Sequence, residues 1–176
     1  MDWYQTVFEL IDMRSFSNLW YWIALAVLWS TASHWILGVP YDLVQRAGRQ
    51  GGQAEHDLTD LVRINVNRIM YVVNSSGVLL VAFTAGLMTM LVILGFFYDV
   101  EFAQAVFFLA APMTVIAGLN VLTGRKIVGE ACTGARLRQV MARHRLITQI
   151  IGVISIFITA LWGMGQNLLV TGPLGG

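Results

Sequence analysis

Cysteine, proline and charge are what this chain has least of: one cysteine, three prolines, and charged residues at 12% of 176 positions. The lone thiol, Cys132, excludes an intramolecular disulfide and any metal or cluster site built from several cysteines of this chain. There is no glycine-rich phosphate loop and no serine-centred elbow, so nucleotide hydrolysis and serine-type acyl transfer lack their motifs. The first sixteen residues carry Asp2, Glu9, Asp12 and Arg14 in place of a basic head before an apolar core. The reading therefore expects no cleavable leader, and the first span itself directs insertion.

What the chain does have is long uncharged runs. Soluble domains are about a quarter charged, whereas this chain is 57% hydrophobic with a mean hydropathy of +0.67. Residues 78–97 hold no charge, and only Thr84 and Thr89 are polar. Twenty such residues make a helix of about 30 Å, the thickness of a bilayer's hydrocarbon core. Four runs of this kind predict an all-α membrane protein of one domain, 1–176. Its four transmembrane helices form an antiparallel bundle, with spans at about 19–39, 69–98, 102–122 and 146–170.

Around the spans, the spacing of Trp3, Val7, Leu10 and Ile11 predicts a short N-terminal interfacial helix, and Ser17 or Asn18 caps the next one. The first span, rich in tryptophan at both ends, is expected to stop at Pro40. Residues 41–68 are polar, with a glycine turn at Gly48, Gly51 and Gly52, then an amphipathic helix from Asp57 or Thr59 that runs into the second span. An irregularity is expected at Asn74, Ser75, Ser76 and Gly77. Tyr98, Asp99, Val100 and Glu101 make a tight helical hairpin, and Pro112 predicts a kink in the third span. A basic amphipathic helix bearing Leu137, Val140, Met141 and His144 leads into the fourth.

Charge gives the orientation. Ten of the eleven Lys and Arg residues lie in the two long polar segments, none in the 98–101 hairpin and none after 145. The positive-inside bias places both long loops in the cytoplasm and both termini in the periplasm of a multi-pass inner-membrane protein.

Candidate sites are few. His34 is the one histidine inside a span. Ser30, one turn earlier, leaves room for a planar ring over it, so His34 is the candidate for a haem or chlorin ligand. Asn74 and Asn120 are the amides at greatest membrane depth and would line a path in a small oligomeric transporter or channel; helix-to-helix hydrogen bonding competes with that role. Arg125, Lys126, Arg136, Arg138, Arg143 and Arg145 form a basic surface for anionic lipid headgroups or a partner. The residues among them are aliphatic, which argues against nucleic acid. Gly152, Ser155, Thr159 and Gly163 are small residues on one ridge of the last span, suited to close helix packing. Glu55, His56, Asp57 and Asp60 match no tight metal site, and Cys132 with His144 lacks a third member for thiol catalysis.

The strings FSNLWYWIALAVLWSTASHWILGVPYDLV, LVRINVNRIMYVVNSSG and LITQIIGVISIFITALWGMGQNL cover much of the chain. In them the sequence resembles a family of small alphaproteobacterial inner-membrane proteins of unassigned activity, some labelled a component of the SufBCD iron-sulfur assembly complex. The resemblance implies a membrane partner. It transfers neither cluster ligation nor ATP hydrolysis, since one cysteine and no nucleotide loop are present. The expected function is that of a non-catalytic accessory or scaffold subunit without a cofactor, in a membrane complex or a homo-oligomer. The alternatives are a cofactor carrier through His34 and a small oligomeric transporter.

Overall fold

The computed structural model describes Phe16 and residues 19–171, with side chains as far as Gln166. The expected N-terminal interfacial helix lies outside these residues. The fold is all-α, with five helices and one minimal hairpin. Helix α1 is Leu19–His34, and strands β1 (Trp35–Ile36) and β2 (Val39–Pro40) follow. Helix α2 is Tyr41–Gln50, α3 is Gly52–Val92 with a π-helical continuation Ile93–Phe97, α4 is Glu101–Gly129 and α5 is Gly134–Thr171. Three helices are long and apolar enough to cross a membrane: Gly52–Phe97, Glu101–Gly129 and Gly134–Gln166.

The first expected span is shorter than its hydrophobic run. Helix α1 has 16 residues, about 24 Å at 1.5 Å per residue. It does not continue to Val39, because the chain reverses through Leu37 and Gly38, both left-handed at φ 53° and 73°. That pair of positive φ values is what a two-residue hairpin of the primed type needs, and Trp35 pairs with Pro40 and Ile36 with Val39. A leucine in this conformation costs about 1–2 kcal/mol. Burial of Ile36, Leu37 and Val39 in an apolar core offsets it. Pro40 therefore ends no span; it stands at the N-cap of α2, where its missing N–H costs nothing.

Helix α2 was not expected from the sequence. Val44 and Ala47, spaced by three, face the core while Asp42, Gln45, Arg46 and Arg49 stay exposed. Gly51 and Gly52, at φ 60° and 49°, make the turn into α3.

Two cores result. A head is built from the hairpin, α2, the first half of α3, the end of α4 and the start of α5, around Leu58, Val62, Val66, Ile127, Leu137 and Met141. The Glu55 carboxylate accepts from Arg138 at 2.6 Å, and the Arg145 guanidinium lies 4.0 Å from the Tyr41 ring centroid, each joining α5 to a neighbour. Away from the head, smaller clusters around Phe16, Tyr21 and Ala105, and around Leu25, Trp29 and Ile116, hold α1 to its neighbours.

The second span also differs from expectation. No break occurs at Asn74–Gly77; α3 is continuous there, and Gly77 meets only its own turn, at Val73. The α-helical pattern gives way at Ile93–Phe97 instead, where Tyr98 N–H bonds the carbonyl of Ile93 five residues back. Gly95 lies within this segment, and a Cβ there would stand 3.0 Å from the Gln104 backbone nitrogen, so glycine lets α4 pass close. Asp99, at φ 52°, closes the hairpin. Pro112 sits within α4, which remains one helix on both sides of it.

Candidate functional site

The hairpin register of α3 and α4 is set by two glycines. Gly95 meets Gln104 at one end, and at the other Gly124 lets α4 approach Met70 and Val66, whose methyls would lie 3.1 and 3.5 Å from an added Cβ. Beside the second contact, under the tip of the hairpin, a cleft of about 440 Å³ opens to the outside. Leu37 and Gly38 form its roof. Asn65, Arg68, Ile69, Val72 and Val73 come from one face of α3, at three- and four-residue spacing, and Ala117, Asn120 and Val121 from α4.

Three polar side chains, Asn65, Arg68 and Asn120, line this cleft. The Asn65 amide donates to the Gly38 carbonyl at 3.2 Å, which fixes the roof. Arg68 is exposed and, among the described residues, bonds nothing; the Asn120 amide has no partner either. Among the described residues no Asp or Glu lines the cleft. Below these groups the walls are aliphatic. The arrangement is one cation and one free amide over a greasy slot at the point where α3 turns from polar to uncharged sequence.

The other expected site residues are dispersed. His34 ends α1 exposed, with Trp35 edge-on at 5.9 Å and Ser30 also exposed, so no enclosed pocket surrounds it. Among the described residues no three His, Cys, Asp or Glu side chains gather to hold a metal. Asn74 is exposed and does not line the cleft that Asn120 lines.

The six basic residues divide by role. Lys126 and Arg136 meet Glu130 at 3.8 and 3.1 Å, Arg138 is committed to Glu55, and Arg145 to Tyr41, its Nε buried without a partner. Arg125 and Arg143 alone are exposed and unpaired among the described residues. The Glu130 carboxyl is held below its ordinary value, first by the hydrogen bond from Arg136 and then by the charge of Lys126.

On α5, Gly152 lies against the Trp29 ring, where a Cβ would come within 2.7 Å, and Gly163 lies against Phe16. Thr159 between them is fully buried and donates to the Ser155 carbonyl at 2.7 Å. This face of α5 meets α1.

Sequence reasoning missed two buried polar nodes. Gln104, 2% exposed, donates to the Gly95 carbonyl at 2.7 Å and accepts from Trp162 at 2.9 Å and Gln166 at 3.2 Å. His144 was read as one member of an amphipathic stripe; its Nδ1 is 2.9 Å from the Thr123 hydroxyl, both buried. A polar residue amid apolar flanks, as in FAQAVFF, is the signal that could have found the first. Cys132 is buried, its Sγ 3.8 Å from Glu130 Oε2, and His144 is turned to Thr123 instead. No protein-family model, curated protein or solved structure matches the chain.

Proposed function

We propose that this chain is a four-span integral protein of the bacterial inner membrane that performs no catalysis, and that its head is a cytoplasmic docking surface for a membrane partner or for anionic lipid. Three of the spans are the long apolar helices. The fourth is α1. Although short as a helix, it packs along the whole height of the bundle: the Phe16 N–H reaches Glu101 Oε1 at 2.8 Å at the far end, and the chain after His34 docks on Asn65 at the head. A segment touching both levels crosses what its neighbours cross.

The observation that carries the reading is the separation of charge along the rods. Ten of the eleven Lys and Arg residues fall in the segments that build the head and its rim, and the hairpin at the opposite end has none. That asymmetry supports a cytoplasmic head and periplasmic termini. The resemblance to small inner-membrane proteins adds a membrane-bound partner as the expected client of the head.

Thiol labelling tests the topology. Cys132 is buried in the head and is replaced by serine to clear the background. A membrane-impermeant maleimide applied to cells with a permeabilised outer membrane is expected to modify Tyr98→Cys, and to modify Gln50→Cys only after lysis; both positions are exposed. The reverse pattern overturns the orientation, and a polypeptide that stays in the supernatant after the membranes are pelleted overturns the membrane reading itself.

A further inference from the structure

We propose that the cleft between α3 and α4 is a binding site for one anionic phospholipid of the leaflet on the head side. Arg68 and the Asn120 amide take the phosphate, and Ile69, Val72, Val73 and Val121 take the first carbons of an acyl chain. This rests on the membrane reading above and goes further, because it moves lipid recognition from the basic head surface to a defined slot.

Four observations fix the occupant. Arg68 carries a positive charge with no partner among the described residues, at the boundary where the uncharged part of α3 begins; in a spanning helix that is the level of the lipid phosphates. A guanidinium over a phosphate forms two parallel charge-assisted bonds, and the free Asn120 amide adds a donor from the opposite wall. The volume of about 440 Å³ has an apolar lower half that a free inorganic anion would leave unfilled and an alkyl chain fills. Finally, no carboxylate lines the cleft among the described residues, so there the ammonium of a zwitterionic headgroup finds no counter-charge. The site discriminates by that missing acid. Arg125, one turn beyond Val121 on α4 and also unpaired among the described residues, adds a second positive charge on the head side of the slot.

The test is native mass spectrometry of the full chain released from mild detergent and titrated with phosphatidylglycerol or phosphatidylcholine. One phosphatidylglycerol is expected to be retained in preference to phosphatidylcholine. Arg68→Gln is expected to weaken that retention about tenfold, the size of one lost charged hydrogen bond, while Arg68→Lys keeps most of it. Ala117→Trp fills the apolar half without altering charge and is expected to lose the lipid too. Arg143→Gln, an exposed arginine away from the cleft, is expected to change retention less than twofold. Arg68 and Ala117 are both exposed, so melting in detergent is expected to be unchanged in these variants.

Equal retention of the two lipids overturns the proposal. So does equal loss from Arg68→Gln and Arg143→Gln, which is the signature of a diffuse basic surface and leaves the membrane reading intact. Inorganic phosphate displacing phosphatidylglycerol at comparable concentration would reduce the cleft to a free-anion site. A chain soluble without detergent would instead remove the membrane reading beneath it.

Discussion

Within one helix, α3, the same residue type meets two different fates. Val62 and Val66 are 1% exposed in the head core, whereas Val78 and Val81, a few turns on, are 88% and 70% exposed. In the head, valine is removed from water by other side chains, at about 25 cal/mol per Å² of apolar surface. Further along, the exposed valines lie on a helix long and apolar enough to cross a membrane, where under the proposed reading lipid does that work and hydrophobicity alone does not drive the helices together. The two regions are therefore stabilised by different means. The head has a contiguous apolar core and an ion pair, while the rods adhere through glycine contacts at Gly95, Gly152 and Gly163 and through the Gln104 node.

The contrast breaks most sharply under truncation. Met141→Ala, at a site with no exposure, is expected to destabilise the purified protein by about 2–5 kcal/mol, whereas Val81→Ala is expected to stay within about 0.5 kcal/mol. Denaturant or thermal melts in detergent measure both. Equal losses would mean that the Val81 face is packed in an assembly, and the division between head and rods would be wrong.

Among the rod contacts, Gly152→Ala drives a methyl into the buried Trp29 ring and is expected to cost about 1–3 kcal/mol. Gly118→Ala, with open space around its Cα, is expected to be neutral or to stabilise by up to about 1 kcal/mol. If both behave alike, α1 is not seated on α5 as described.

The smallest effect concerns acid. Glu130 is charged more readily in the fold than in the unfolded chain, because Arg136 and Lys126 favour its anion. The stability this adds is present above the ordinary carboxyl value of 4.5 and is lost as pH falls through the lower folded value. Glu130→Gln should flatten that part of the pH dependence of melting slightly, since the group is exposed; a variant with an unchanged acid limb would place the titration elsewhere.

The long rods were legible because hydropathy and length are properties of a segment by itself. So were the tight hairpin at Asp99, the basic stretch that opens α5 and, in part, the glycine turn, which is made by Gly51 and Gly52 while Gly48 lies inside α2. The β-hairpin was not, since its turn is made by Leu37, a residue that takes a left-handed backbone only when the surrounding core holds it there. Helix α2 does carry a helical-period pattern, with Leu43, Val44 and Ala47 toward the core, but its polar composition and Gly48, Gly51 and Gly52 read as a loop and turn. The cleft needed Arg68 and Asn120, more than fifty positions apart, to be brought opposite each other. Charge counting saw Arg68 only as one of ten, and the register that juxtaposes the pair is decided by Gly95 and Gly124. The four-residue ridge on α5 could be read in advance, but not which helix faces it.

The unbroken course of Gly52–Val92 has a mechanical consequence. Forty-one residues make a shaft of about 62 Å with no joint between the head and the π-helical turn at its far end. Under the proposal that the head docks a partner at a membrane, a partner leaning on the head would swing the far end of the shaft by the same angle. Load applied on one side of the bilayer would then reach the other as tilt.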